Sequence, residues 1–105
     1  MRIIDRKEFL ECPSGTVYGE YFPWSVEGLR VKQDNCGDDD WFYIDLIAGV
    51  DYVGDWSSNA DHGDSFPLSF NGICRDGAFD DDQLFAIYEP ADVAGLIEAL
   101  EKTRR

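Results

Sequence analysis

Val93, Leu96, Ile97 and Leu100 recur at i, i+3, i+4 and i+7, the spacing that aligns apolar side chains on one face of an α-helix, and this stripe constrains the fold more than any other feature of the chain. Pro90 opens the segment, where a proline loses only an amide that has no helical partner, and Asp92 falls in the turn where the helix dipole favours negative charge. Lys102, Arg104 and Arg105 follow at the end that favours cations. Gly95 costs this helix about 1 kcal/mol relative to Ala unless it serves a close approach. An apolar stripe needs a surface to cover, and the segments before it are short and β-type. The expectation is a single α+β domain over residues 1–105, an antiparallel sheet of four or five strands with the C-terminal helix packed on one face and a short N-terminal helix.

The strand signals are local. Residues 16–22 are rich in β-branched and aromatic side chains and stop at Pro23. Residues 28–32 alternate apolar with basic, which predicts Leu29 and Val31 toward the core with Arg30 and Lys32 outside. Residues 34–38 read as a turn. Residues 41–47 form the strongest strand, with Phe42, Ile44 and Leu46 on one side and Trp41, Tyr43, Asp45 and Ile47 on the other. Asp45 marks the wetter side, although Trp41 itself is read as a core residue. Glycines and the Ser57-Ser58-Asn59 cluster break the periodicity over 48–64, predicting a long loop, and Pro67 restricts 66–70 to an edge strand. Residues 83–89 read as the last strand. Near the start, Asp5 followed three residues later by Glu8 is a capping-box-like opening to a short helix carrying Phe9 and Leu10, closed by Pro13-Ser14-Gly15.

Charge is distributed unevenly. Between Gln33 and Asp92 there are fifteen acidic residues and one basic residue, Arg75, and the chain as a whole carries a formal charge of -13. Such a surface repels phosphates at long range, which argues against direct binding of nucleic acid or anionic membrane and predicts a basic protein surface as partner, in a complex weakened by salt. Asp38-Asp39-Asp40 and Asp80-Asp81-Asp82 adjoin β-type segments, so the acid is expected on an ordered surface. With 44% hydrophobic and 14% aromatic residues, the chain is richer in core-formers than a disordered acidic tail. Solubility is the simplest use of such charge, but clustered aspartates repel one another. Carboxylates on alternate strand positions fall ~6.6 Å apart and phosphates along one DNA strand advance ~3.4 Å each, so rows of aspartate can imitate a phosphate track. Trp56, in the polar loop Gly54-Asp55-Trp56-Ser57-Ser58, has the character of an aromatic anchor rimmed by acid. The partner-binding candidates are therefore Asp38, Asp39, Asp40, Trp56, Asp80, Asp81 and Asp82.

Catalytic and metal chemistry find little support. Asp34, Asp38, Asp40 and Asp45 fall at the first, fifth, seventh and twelfth places of a calcium loop, but Cys36 replaces the third-position oxygen and Gly37 is two places early for the sharp turn. A solvated turn is the expectation there. His62 is the only histidine, and Cys74 with His62 matches no local nucleophile and base signature. No phosphate-binding glycine motif is present. Cys12, Cys36 and Cys74 form an odd set without a CxxC pair, as expected of reduced thiols in a cytoplasmic protein. No signal peptide or membrane-length apolar run is visible. The reading is of a non-enzymatic binding protein with no cofactor, no catalytic residue and no metal site. Two other readings are a small-ligand or metal-binding domain using the 51–64 loop, and a housekeeping interaction module or homodimer.

Glu8-Phe9-Leu10, the segment Pro13-Ser14-Gly15-Thr16-Val17-Tyr18, and Arg75-Asp76-Gly77 with residues 82–89 resemble short uncharacterised proteins of phages and prophages. The resemblance implies a mobile-element setting, in which small acidic proteins block host nucleic-acid machinery as DNA mimics or anti-CRISPR proteins. It implies no catalytic residues.

Overall fold

The computed structural model describes residues 1–47, 63, 65, 67–68 and 70–104. Its centre is an open antiparallel sheet of six strands in the order β1-β6-β2-β3-β4-β5, built from β1 (Arg2–Ile4), β2 (Val17–Phe22), β3 (Ser25–Cys36), β4 (Asp40–Asp45), β5 (Ile73–Arg75) and β6 (Leu84–Ile87). Two helices, α1 (Arg6–Glu11) and α2 (Pro90–Glu101), complete the α+β domain. The expected four or five strands become six because β1 and β5, three residues each, are too short to show a period of their own. Each forms by pairing with a longer neighbour, β1 with β6 and β5 with β4.

The β2–β3 hairpin carries a bulge. Tyr18 pairs with Arg30 but Glu20 pairs with Glu27, so β3 accommodates an extra residue, and Gly28 takes a φ of 88° that a side chain would resist. Gly19 lies directly across, where an added Cβ would stand 2.7 Å from the Gly28 carbonyl oxygen. Only glycine fits there. β3 also runs on to Cys36, leaving the turn to residues 37–39 rather than the expected 34–38.

α1 begins as its sequence foretells: the Asp5 carboxylate accepts the Glu8 amide at 2.8 Å. Six residues cannot sustain a helix in water, so this one depends on what it covers. Phe9 is fully buried, its ring centroid 4.5 Å from Tyr18, 4.6 Å from Trp41 and 4.6 Å from Phe85 in a stacked arrangement. Ile4 and Ile87 close this cluster, which is the core. The Trp41 indole donates to the Tyr18 hydroxyl at 3.0 Å, so both polar atoms of the aromatic core are satisfied.

Two expectations about faces are overturned. The core lies on the side of β4 that carries Trp41, Tyr43 and Asp45, the side predicted to be wetter, and Trp41 is buried as a core residue. In β3 it is Arg30 and Lys32 that turn toward this covered face, in register with Asp45 and Tyr43, while Leu29 and Val31 take the other. The third correction concerns α2. It starts at Pro90 and is capped by Asp92, which accepts the Glu89 amide at 2.9 Å, but none of its residues is buried and it does not cover the sheet. The covering element is α1, because its Phe9 fills a hole between three aromatic rings, those of Tyr18, Trp41 and Phe85.

Candidate functional site

Arg6 and Phe9 lie one helical turn apart on the inner side of α1, so the helix that buries Phe9 also carries Arg6 to the end of the sheet. The guanidinium sits 4.6 Å from the Trp41 ring and is almost wholly buried. One of its terminal nitrogens donates to the Asp39 carbonyl at 2.6 Å and the other to the Asp76 carboxylate at 3.3 Å. It therefore fastens the β3–β4 turn and the segment after β5 to the same cation. Both are the acidic parts of the chain.

Asp40 makes a second fastening. Its carboxylate accepts the Trp41 amide at 2.9 Å and the Gly77 amide at 3.0 Å, and faces the Arg75 guanidinium at 3.3 Å. At 2% exposure Asp40 is withdrawn from the surface on which a partner would meet it. Its sequence neighbours are not. Asp38 and Asp39 are exposed on the turn, and Asp80, Asp81 and Asp82 are exposed on the segment before β6, where the Asp80 carboxylate accepts the Asp82 amide at 3.0 Å. Asp39 and Asp81 line one shallow hollow, with Asp5, Lys7 and Leu10 of the α1 region beside them. The two acidic runs, forty residues apart in the chain, thus meet across the end of α1.

The two cations of β3 go the opposite way. Lys32 is 2% exposed, its ammonium donating to the Cys12 carbonyl at 2.8 Å and the Asn35 side chain at 2.7 Å, and burial lowers its pKa. Arg30 donates to Glu20 at 2.7 Å, lies 3.5 Å from Asp45, and stacks 4.7 Å from the Tyr43 ring. With Arg6 they are turned into the protein while the aspartates of both runs, Asp40 excepted, face water. The surface is consequently more negative than the composition suggests.

An aromatic residue with little sequence signal stands among the acids. Phe79 immediately precedes Asp80, is 51% exposed, and holds a φ of 52°, a left-handed conformation that costs a bulky residue about 1–3 kcal/mol. Its inner side meets the Arg6 guanidinium, 5.8 Å from ring centroid to the central carbon. Its only sequence signal is an aromatic flanking an acidic run in Gly77-Ala78-Phe79-Asp80. Trp56, the predicted anchor, and the 51–64 loop with His62, Gly63 excepted, lie outside the described residues, as do Phe66 and Ser69 of the expected 66–70 edge strand.

The calcium-loop spacing is not used as such. Asp34 accepts the Ser14 hydroxyl at 2.8 Å, Asp40 is held by the contacts above, and Asp45 lies by Arg30. Among the described residues no group of three or more His, Cys, Asp or Glu side chains is arranged to hold a metal ion. Cys12 and Cys36 are half-buried and Cys74 is exposed on β5, all as free thiols. Among the described residues no helix is long and apolar enough to cross a membrane. Comparison with protein-family models, curated proteins and solved structures finds no match.

Proposed function

We propose that this chain is a non-enzymatic acidic binding protein that presents Asp38, Asp39, Asp80, Asp81 and Asp82, with Phe79 among them, to a basic protein surface. The surface in question is the kind that a nucleic-acid-processing enzyme offers to phosphates. In the phage and prophage setting that the sequence resemblance implies, occupation of that groove makes the chain an inhibitor, acting as a DNA mimic or in the manner of an anti-CRISPR protein within the host cytoplasm.

The observation that carries this reading is the double fastening of the two acidic loops, by Arg6 and by Asp40. Free loops bearing like charges would separate. Here buried contacts hold them together, so the electrostatic cost of assembling the acids is met by the fold and not by the partner at the moment of binding. Phe79 adds an apolar contact of the sort that supplies affinity, while the surrounding carboxylates supply association rate and selectivity for positive charge.

The test is a tagged pull-down from host lysate at low and high salt, with the wild type and with a variant carrying Asn at all five exposed positions. Recovery of one nucleic-acid-processing protein, lost at high salt, lost in the variant and displaced by double-stranded DNA, is the expected result. A partner retained equally by the variant and in high salt would remove the charge-recognition reading.

A further inference from the structure

α2 is twelve residues long, about 18 Å, and its apolar stripe is not buried against any of the described residues: Leu96 is 37%, Ile97 57% and Leu100 65% exposed. An open groove runs beside it, lined by Val17, Ile87 and Tyr88 of the sheet and by Val93 and Ile97 of the helix. The electrostatics of this end set it apart. Residues 3–88 hold eighteen acidic and five basic residues, which is the whole net charge of the chain. Residues 1–2 together with 89–105 hold four acids, Glu89, Asp92, Glu98 and Glu101, against four bases, Arg2, Lys102, Arg104 and Arg105.

We propose that α2 is the dimerisation surface of this protein and that its occupant is α2 of a second copy, packed antiparallel about a two-fold axis between Leu96 and Ile97. A second copy is repelled wherever residues 3–88 form the surface; at this end the charges balance. A basic partner protein has the opposite preference and is drawn to the acidic loops. The antiparallel arrangement sets Val93 against Leu100 and Leu96 against Ile97, an isologous apolar seam. It also brings Glu89, which immediately precedes α2, beside Arg104, which follows it within one turn, at both ends of the pair. Glu89 is the N-cap of α2, its carboxylate 3.9 Å from the N-terminal ammonium of its own chain, an exposed contact, and Arg104 lies two residues past the C-cap Lys102. The Arg104 guanidinium rests on Glu101 at 3.6 Å in the single chain, an exposed contact that costs little to exchange.

The experiment is sedimentation equilibrium on the full chain across a concentration series. The wild type is expected to change from one chain to two with rising concentration, and Ile97→Asp with Leu100→Asp to stay monomeric. Both positions are exposed, so this variant should keep the far-ultraviolet circular dichroism of the wild type measured at the dilution where it is monomeric. Glu89→Arg and Arg104→Glu should each weaken association, and the double exchange should restore it. A wild type that stays monomeric at its solubility limit, or a dimer that survives the Asp substitutions, overturns the proposal. Failure of the double exchange to restore association overturns the antiparallel arrangement. Replacing the five exposed aspartates by Asn should not dissociate the dimer, so this surface and the acidic one are separable.

Discussion

The two helices of this protein invert the relation between sequence signal and structural role. α2 has the longer apolar stripe, a first-turn proline and a cap, yet none of its residues is buried. α1 has six residues and one large aromatic, and it holds the core together. Periodicity reports that a helix has an apolar face; it does not report which surface has a vacancy of matching shape. Phe9 fills a hole bounded by Tyr18, Trp41 and Phe85, and that complementarity outweighs the greater apolar area of α2.

The comparison is broken most severely at Phe9. Phe9→Ala should cost about 3–5 kcal/mol through the cavity it leaves, whereas Leu100→Ala should change the stability of the single chain by less than about 0.5 kcal/mol. Urea unfolding of both, at a concentration where the chain is monomeric, measures the contrast, and similar losses would mean that α2 does carry part of the core.

Arg6→Ala comes close behind. It leaves the nearly buried Asp76 carboxylate without its cation, a change worth about 3–5 kcal/mol in comparable settings. It should also release the two acidic loops from each other. Arg6→Ala should therefore weaken capture of a basic partner under conditions where the variant is still folded, an outcome that Phe9→Ala under equally folded conditions should not reproduce in full.

Gly19→Ala tests the bulge that brings β2 and β3 together. A methyl group 2.7 Å from the Gly28 carbonyl oxygen must displace backbone, for an expected loss of about 1–3 kcal/mol by thermal melting. Alanine at Gly95, whose added Cβ meets nothing, should instead leave stability unchanged or raise it by up to about 1 kcal/mol.

The smallest effect is a pH dependence. Burial raises the pKa of Tyr18, Tyr43 and Tyr88 above the ordinary phenol range. Above roughly pH 10 the unfolded chain releases these protons while the folded chain retains them, so the unfolded state binds fewer protons and stability falls as pH rises. Tyr18 is the most strongly shifted, and each such phenol contributes at most about 1.4 kcal/mol per pH unit. Tyr18→Phe should be less stable at neutral pH, since the Trp41 N–H loses its acceptor, but should show a shallower decline past pH 10. An unchanged alkaline slope would locate the titration elsewhere.

How much of this was legible beforehand follows from the range of each signal. The Asp5 cap, the strands near 16–22, 41–47 and 83–89, and the Pro90 start all depend on neighbours within a few residues, and all are present. The facing of β3 was not legible. Alternation in 28–32 defines two faces without saying which is covered, and the usual rule chose the apolar one. Arg30 and Lys32 turn inward instead because partners brought up by the fold await them: Glu20 and Asp45 for the first, the Cys12 carbonyl and, three residues on, Asn35 for the second. Each buried cation is thereby matched to oxygen acceptors that residue spacing does not display. The same limit applied to Asp40, which reads as one of three equivalent aspartates and differs only because the Trp41 and Gly77 amides converge on it.

By itself, the sequence determined the α+β composition of the fold, the position of most elements, and a large excess of carboxylate in the middle of the chain, because these depend on local propensity and on counting. Tertiary structure alone decided that Arg6 would gather two distant acidic loops, that three cations would be turned inward, that Phe79 would stand exposed among the aspartates, and that Leu96, Ile97 and Leu100 of α2 would stay exposed. Those outcomes depend on which surfaces meet. Phe9 and Arg6, one turn apart on a helix too short to stand alone, settle much of that by taking an arrangement in which an aromatic hole is filled and a buried guanidinium finds its acceptors.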